Sequence, residues 1–125
     1  MSTYIKGIHI KRGMFSAMWE VRFLPEAEEE RVKLPGGERA ALYNAVLKLE
    51  AIGPDLGYPH TSDVRGAPGL RELRPRAGRS PWRGLYQQRG EIFVIAAVCP
   101  EAEHDPRGFS RGCDAALTRL EELED

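Results

Sequence analysis

The sequence predicts an α+β fold with the element order β-α-α-β-β-β-α: a small antiparallel-rich sheet packed against a helical hairpin and a C-terminal helix. Three observations predict it. Trp19, Val21 and Phe23 alternate with Glu20 and Arg22, the period of a half-buried strand. Leu42, Val46 and Leu49 recur at helical spacing, with Ala45 and Ile52 widening the same face. Ile92 to Val98 is almost wholly apolar and rich in β-branched residues, as a central strand buried on both faces requires.

The remaining elements follow in chain order. Pro25 suits the first turn of a short helix, and the acids Glu26, Glu28, Glu29 and Glu30 favour its positive N-terminal end. They read as helix-stabilising surface rather than as a metal site. Pro35-Gly36-Gly37 breaks that helix, and a second runs from about Glu38 to Ile52, where Gly53-Pro54 stops it. Residues 54–69, rich in glycine, proline and polar side chains, read as a loop. Leu70 to Arg76 alternates as a strand, Ala77 to Pro81 turns, and Trp82 to Arg89 is the next strand. A tight hairpin at Arg89-Gly90-Glu91 leads into the apolar strand. The final helix, from about Pro106 to Leu123, carries Phe109, Cys113, Ala116, Leu117 and Leu120 on one stripe. Its acidic end, Glu121 to Asp125, opposes the helix dipole and is expected to fray.

With 125 residues, 42% hydrophobic and 30% charged, the chain suits one soluble domain with a single sizeable core. Residues 18–125 read as that domain. Residues 1–17 form an N-terminal extension in which Ile8 and Ile10 alternate with polar neighbours, as in an extra edge strand. No apolar run reaches the roughly 18 residues of a membrane span, and the N-terminus lacks the continuous apolar stretch of a secretory signal. Cys99 and Cys113 read as small buried residues, without the spacing of a zinc site. A reducing cytoplasm is the expected compartment.

Charge is distributed unevenly. Between Arg65 and Arg89 stand seven arginines against one acid, Glu72, in a protein whose formal net charge is only -1. Arginine presents a planar, permanently charged fork that matches phosphate oxygens. Such forks clustered on a sheet suit a nucleic-acid backbone; a solvated face paired with acidic helices is the plainer reading of the same pattern. Alternate positions on one strand point the same way, so Arg74 and Arg76 are expected to share a face, with Arg83 joining them from the neighbouring strand.

The string Arg65-Gly66, Leu70-Arg71-Glu72-Leu73-Arg74 and Trp82-Arg83-Gly84-Leu85-Tyr86 carries a resemblance when taken with the strand at Trp19, the helical hairpin, the apolar strand and the closing helix. Over about residues 18 to 120 the chain resembles the RelE/HigB superfamily of type II toxins, particularly the phage-derived HigB-like branch. The resemblance implies the toxin of a toxin–antitoxin system: a metal-independent endoribonuclease that cleaves mRNA, in association with the ribosome, and is inhibited by a cognate antitoxin of helix-turn-helix type. It implies no cofactor. The RNA 2′-hydroxyl would attack the adjacent phosphorus and the 5′-oxygen would leave, giving a 2′,3′-cyclic phosphate. Such a step calls for positive charge around the pentavalent phosphate and for groups that move protons.

On that reading Arg74, Arg83, His104 and Tyr86 are the candidate catalytic residues, and Arg71, Arg76, Arg79 and Arg107 the candidate RNA contacts. Tyr86 also suits the core, and His104 beside Asp105 also suits an exposed loop. Trp82 suits base stacking or burial, and His9 and His60 read as structural or surface residues. The chain departs from the family in the loop after the last strand. Lysines are usual there, whereas this loop reads Cys99-Pro100-Glu101-Ala102-Glu103-His104-Asp105-Pro106, with three acids and no lysine. That departure supports a second reading, a catalytically weak or inert member of the fold that binds nucleic acid or a partner protein.

Overall fold

In the computed structural model, which describes residues 18–123, five strands and three α-helices follow one another along the chain. The edge strand expected within residues 1–17 and the last two residues of the acidic tail lie outside the described residues. Strand β1 (Glu20–Phe23) leads through Leu24 into helix α1 (Pro25–Val32), and helix α2 (Gly36–Ile52) completes the hairpin. Strands β2 (Thr61–Asp63), β3 (Arg71–Leu73), β4 (Trp82–Arg89) and β5 (Ile92–Pro100) precede helix α3 (Pro106–Glu121).

The sheet order is β1-β5-β4-β3-β2. β1 runs parallel to β5, with Val21 opposite Phe93, and the other pairs are antiparallel. β5 is therefore interior, and its residues are buried except at the two ends. Its apolar run has the physical origin expected of it, since helices cover both faces. The hairpin face carries Leu42, Leu49, Leu73, Tyr86, Phe93 and Ile95, with Trp19 packed against them. The α3 face carries Leu70, Leu85, Val94, Ala96, Cys99, Ala116 and Leu120.

Two close approaches fix the layers. Gly53 ends α2 at φ 72°, and a Cβ there would lie 2.3 Å from the Trp19 indole nitrogen. A Cβ at Gly112 would lie 2.5 Å from Cys99 Sγ, so α3 sits directly on β5 at that point. Burial pushes the Cys99 thiol up to about 12, and both cysteines are free.

β5 outruns its parallel partner, because β1 ends opposite Ile95. The register with β4 slips here too: Leu85 faces Ala97 and Tyr86 faces Ile95, leaving Ala96 as the extra residue of a bulge. Side chains from the helices satisfy this edge. Arg119 donates to the Ala96 carbonyl at 2.8 Å and Glu30 accepts the Val98 N–H at 2.9 Å, while the two form an ion pair at 2.9 Å. Of the acidic run, then, Glu30 is a structural ligand of the sheet, while Glu28 pairs with Arg31 on its own helix.

Several expectations need correction. A short strand, β2, lies within the stretch read as loop, held antiparallel to β3 by tertiary pairing that its polar Thr-Ser-Asp sequence does not announce. The strand expected from Leu70 to Arg76 ends at Leu73, because Pro75 opens a short 3₁₀ turn, Pro75–Gly78. α2 begins two residues early, at Gly36, since first-turn N–H groups need no helical partner. Ile52 and Leu117 are 47% and 40% exposed and so do not belong to the core stripes.

Candidate nucleic-acid interface

The turn after β3 decides the fate of the arginines. It leaves the sheet with Arg76 at φ 56° and Ala77 at φ 55°, left-handed conformations that non-glycine residues adopt at a cost of order 1–3 kcal/mol. Contacts hold them there. Arg76 donates to Glu38 Oε2 at 2.8 Å and to the Gly37 carbonyl at 3.1 Å, both in the first turn of α2. Ser80 Oγ donates to the other Glu38 oxygen at 2.7 Å. The Ser80 hydroxyl and the Arg76 guanidinium together hold the Glu38 carboxyl below its ordinary range.

Arg74 is fixed from the opposite side. Its backbone N–H donates to the His60 carbonyl at 2.8 Å, one step past the end of the β2–β3 ladder. Its Nε donates to the Pro59 carbonyl at 2.9 Å, and the guanidinium lies 5.0 Å from the centre of the Tyr58 ring. Between these supports opens a cavity of about 240 Å³. Lys48 and Asn44 of α2 line it together with His60, Arg74 and Arg76, over a floor that includes Ala41 and Leu73. Lys48 makes no ion pair among the described residues. Arg74 approaches a carboxylate only at 3.9 Å, from Glu72. Three cations, one imidazole and one amide thus border a single concave space, an arrangement that suits a phosphate group and a nearby proton transfer.

Arg74 and Arg76 therefore do meet, but through a 3₁₀ turn rather than on a common strand face. Arg83 does not join them. It is 3% exposed, on the α3 side of the sheet, with Nε donating to Glu72 Oε1 at 3.1 Å. Its terminal nitrogens donate to the carbonyls of Ser80 at 2.7 Å, Trp82 at 2.9 Å and Gly78 at 3.3 Å, and Glu101 lies at 4.0 Å. Burial, and then the neighbouring Arg74 charge, pull its pKa down. Carboxylates and carbonyls have claimed this guanidinium, and it serves to close the 78–82 turn.

The other expected site residues are dispersed. Tyr86 is 2% exposed, stacked edge-on against Phe93 at 5.8 Å, and its hydroxyl accepts from Arg71 Nε at 3.3 Å. Arg71 also donates to Thr61 Oγ1 at 2.7 Å and pairs with Asp63, which ties β3 to β2 and β4. Arg79, His104 and Arg107 are exposed, and none of them lines the cavity. Two of the three acids of the 100–105 loop have local duties. Glu101 faces Arg83, and Asp105 caps α3 by accepting the Gly108 N–H at 2.9 Å.

Sequence reasoning missed Lys48, Asn44 and His60. His60 stands in a proline-containing loop with no neighbour in sequence to give it a role, and Lys48 reads as the polar face of an amphipathic helix. Only the pairing of β2 with β3 beside α2 brings them together.

The architecture is that of the RelE toxins. A double mutant of the E. coli toxin RelE in the free state superposes with a TM-score of 0.57 at 20% identity, over 78% of this chain and 96% of that one. The isolated E. coli RelE toxin gives 0.51 at 20% identity, over 74% and 97%. The RelBE2 toxin–antitoxin complex from Mycobacterium tuberculosis gives 0.51 at 27% identity, over 69% and 94%. Residues 29–99, more than half of the chain, match the family described as phage derived protein Gp49-like, and the chain belongs to that RelE/HigB-type toxin family. No curated protein sequence matches it.

Proposed function

We propose that the protein is the toxin of a type II toxin–antitoxin system, an endoribonuclease that cleaves mRNA on the ribosome without a metal ion and is held inactive by a cognate antitoxin of helix-turn-helix type. The single observation that carries this reading is the cavity bordered by Lys48, His60, Arg74 and Arg76. An RNA phosphodiester placed there meets cations on several sides, as a pentavalent phosphorane requires. The His60 imidazole takes the proton of the 2′-hydroxyl as its oxygen bonds to phosphorus. The bond to the 5′-oxygen breaks, that oxygen takes a proton from solvent, and a 2′,3′-cyclic phosphate remains. Arg74 holds the phosphate, with Lys48 and Arg76 sharing the charge. Kinship with a toxin family, and the occurrence of a RelE-like neighbour in a toxin–antitoxin complex, support the partner assignment.

The test is a cleavage assay on ribosome-bound mRNA in excess chelator, with the new ends analysed chemically. Cyclic phosphate ends are expected. His60→Ala should slow the cut by about 10²–10⁴-fold, the usual range for one acid–base group, and Arg74→Ala should also abolish most of it. Intact mRNA under these conditions would remove the nuclease reading.

Two observations favour a second reading, a catalytically weak or inert member that binds nucleic acid or a partner. Arg83 is neutralised by Glu72 and Glu101, and the 100–105 loop is acidic where the toxins of the resemblance carry lysines. Harmless expression of the unpaired protein together with salt-sensitive RNA binding would establish it.

A further inference from the structure

Among the described residues Tyr58 is the most exposed of the large apolar side chains, at 75%, yet it packs against Arg74, which borders the cavity, and stands two residues before His60, which lines it. One face of its ring is covered by the Arg74 guanidinium at 5.0 Å. Arg74 is itself clamped by the Pro59 and His60 carbonyls and borders the cavity. The ring is thus held on a guanidinium that borders the cationic cavity, with most of its surface open to solvent. An aromatic ring on a guanidinium support, next to cations, is the arrangement with which proteins hold successive bases of a single strand.

We infer that Tyr58 is a stacking platform for an unpaired nucleobase flanking the phosphate bound in the cavity, so that the site takes single-stranded rather than duplex RNA. This inference rests on the proposal that the cavity holds an RNA phosphate. Stacking is tolerant of base identity, because every base offers a π-face. The platform therefore selects for an unstacked, accessible base and favours purines only through their larger rings. A duplex keeps its bases stacked upon one another and leaves none for Tyr58.

The experiment is fluorescence anisotropy with the full chain and three labelled probes. The first is a short single-stranded RNA carrying 2′-O-methyl groups to prevent cleavage, the second is the same strand with abasic nucleotides, and the third is a duplex of equal length. The single strand should bind more tightly than the abasic strand. Tyr58→Ala should weaken the single strand by about tenfold and leave the abasic strand unchanged, while Tyr58→Trp should restore the affinity. Equal binding of intact and abasic strands, or indifference of both to Tyr58→Ala while Lys48→Glu still weakens them, would overturn the platform and leave the phosphate site standing. Binding of no probe at low salt would overturn both. Loss of antitoxin binding in Tyr58→Ala, with RNA affinity intact, would assign the ring to a protein partner and also overturn the inference.

Discussion

Arg83 and Arg74 stand close enough for their charges to repel and approach the same Glu72 carboxylate, at 3.1 and 3.9 Å, yet they belong to different physical regimes. Arg83 is enclosed, with three carbonyls and one close carboxylate on its donors. Arg74 reaches the border of an open cavity, with one carbonyl on its Nε and a carboxylate no nearer than 3.9 Å. A buried guanidinium surrounded by acceptors has little left to offer a ligand, and removing it strands the acceptors. A partly open one retains donors and charge. The lesson is that a dense run of arginines is not one functional surface. Burial divides it into those that build the turn and those that face the solvent.

The largest effect is expected at Arg83. Arg83→Ala should cost about 3–5 kcal/mol of stability, because it leaves Glu72 and the turn carbonyls without their partner. Urea denaturation measures this, and a loss below about 1 kcal/mol would mean that Arg83 is not the anchor of the 78–82 turn. The opposite signature is expected at the cavity. Lys48→Glu should weaken single-stranded RNA binding tenfold or more and flatten its salt dependence by about 0.7 in log–log slope. Its stability should stay within about 0.5 kcal/mol of wild type, as for other exposed positions. Equal affinity for the two proteins across a salt series would separate Lys48 from the ligand.

The smallest effect is expected at Glu38, which joins α2 to both Arg76 and Ser80. Its carboxyl titrates below the ordinary value of 4.5 in the folded protein. The stability it contributes is therefore present above that value and is lost as pH falls through the lower folded one. Glu38→Gln should lose about 1 kcal/mol or less near neutral pH, and the gap between wild type and variant should close in acid. A gap independent of pH would show that the carboxylate charge plays no part in holding the 3₁₀ turn.

The acidic loop after β5 also changes meaning once its contacts are known. Read as sequence, Glu101, Glu103 and Asp105 repel RNA from a place where lysines are usual. In the fold, Glu101 balances the buried Arg83, its N–H donates to the Pro81 carbonyl at 2.9 Å, and Asp105 caps α3. The departure from the family pattern thus accompanies a different internal pairing. The cationic space lies instead against α2, where Lys48 and His60 stand.

Element types and their order were legible because periodicity is local. The alternation at Trp19 to Phe23, the helical spacing of Leu42, Val46 and Leu49, and the apolar run of β5 each record the faces their segment must bury. The toxin-like architecture was legible for the same reason, as an ordered set of such segments. β2 was not, since Thr61-Ser62-Asp63 pairs with β3 through its backbone and carries no apolar alternation. Nor was the site. Arg76 meets Glu38, and His60 meets Arg74, across separations of 38 and 14 residues along the chain. The sequence by itself determined, β2 apart, which segments become strands and helices and that positive charge gathers after β3. Tertiary structure alone decided which arginine is enclosed and which lines a cavity, because desolvation and ion pairing depend on neighbours that only folding brings together.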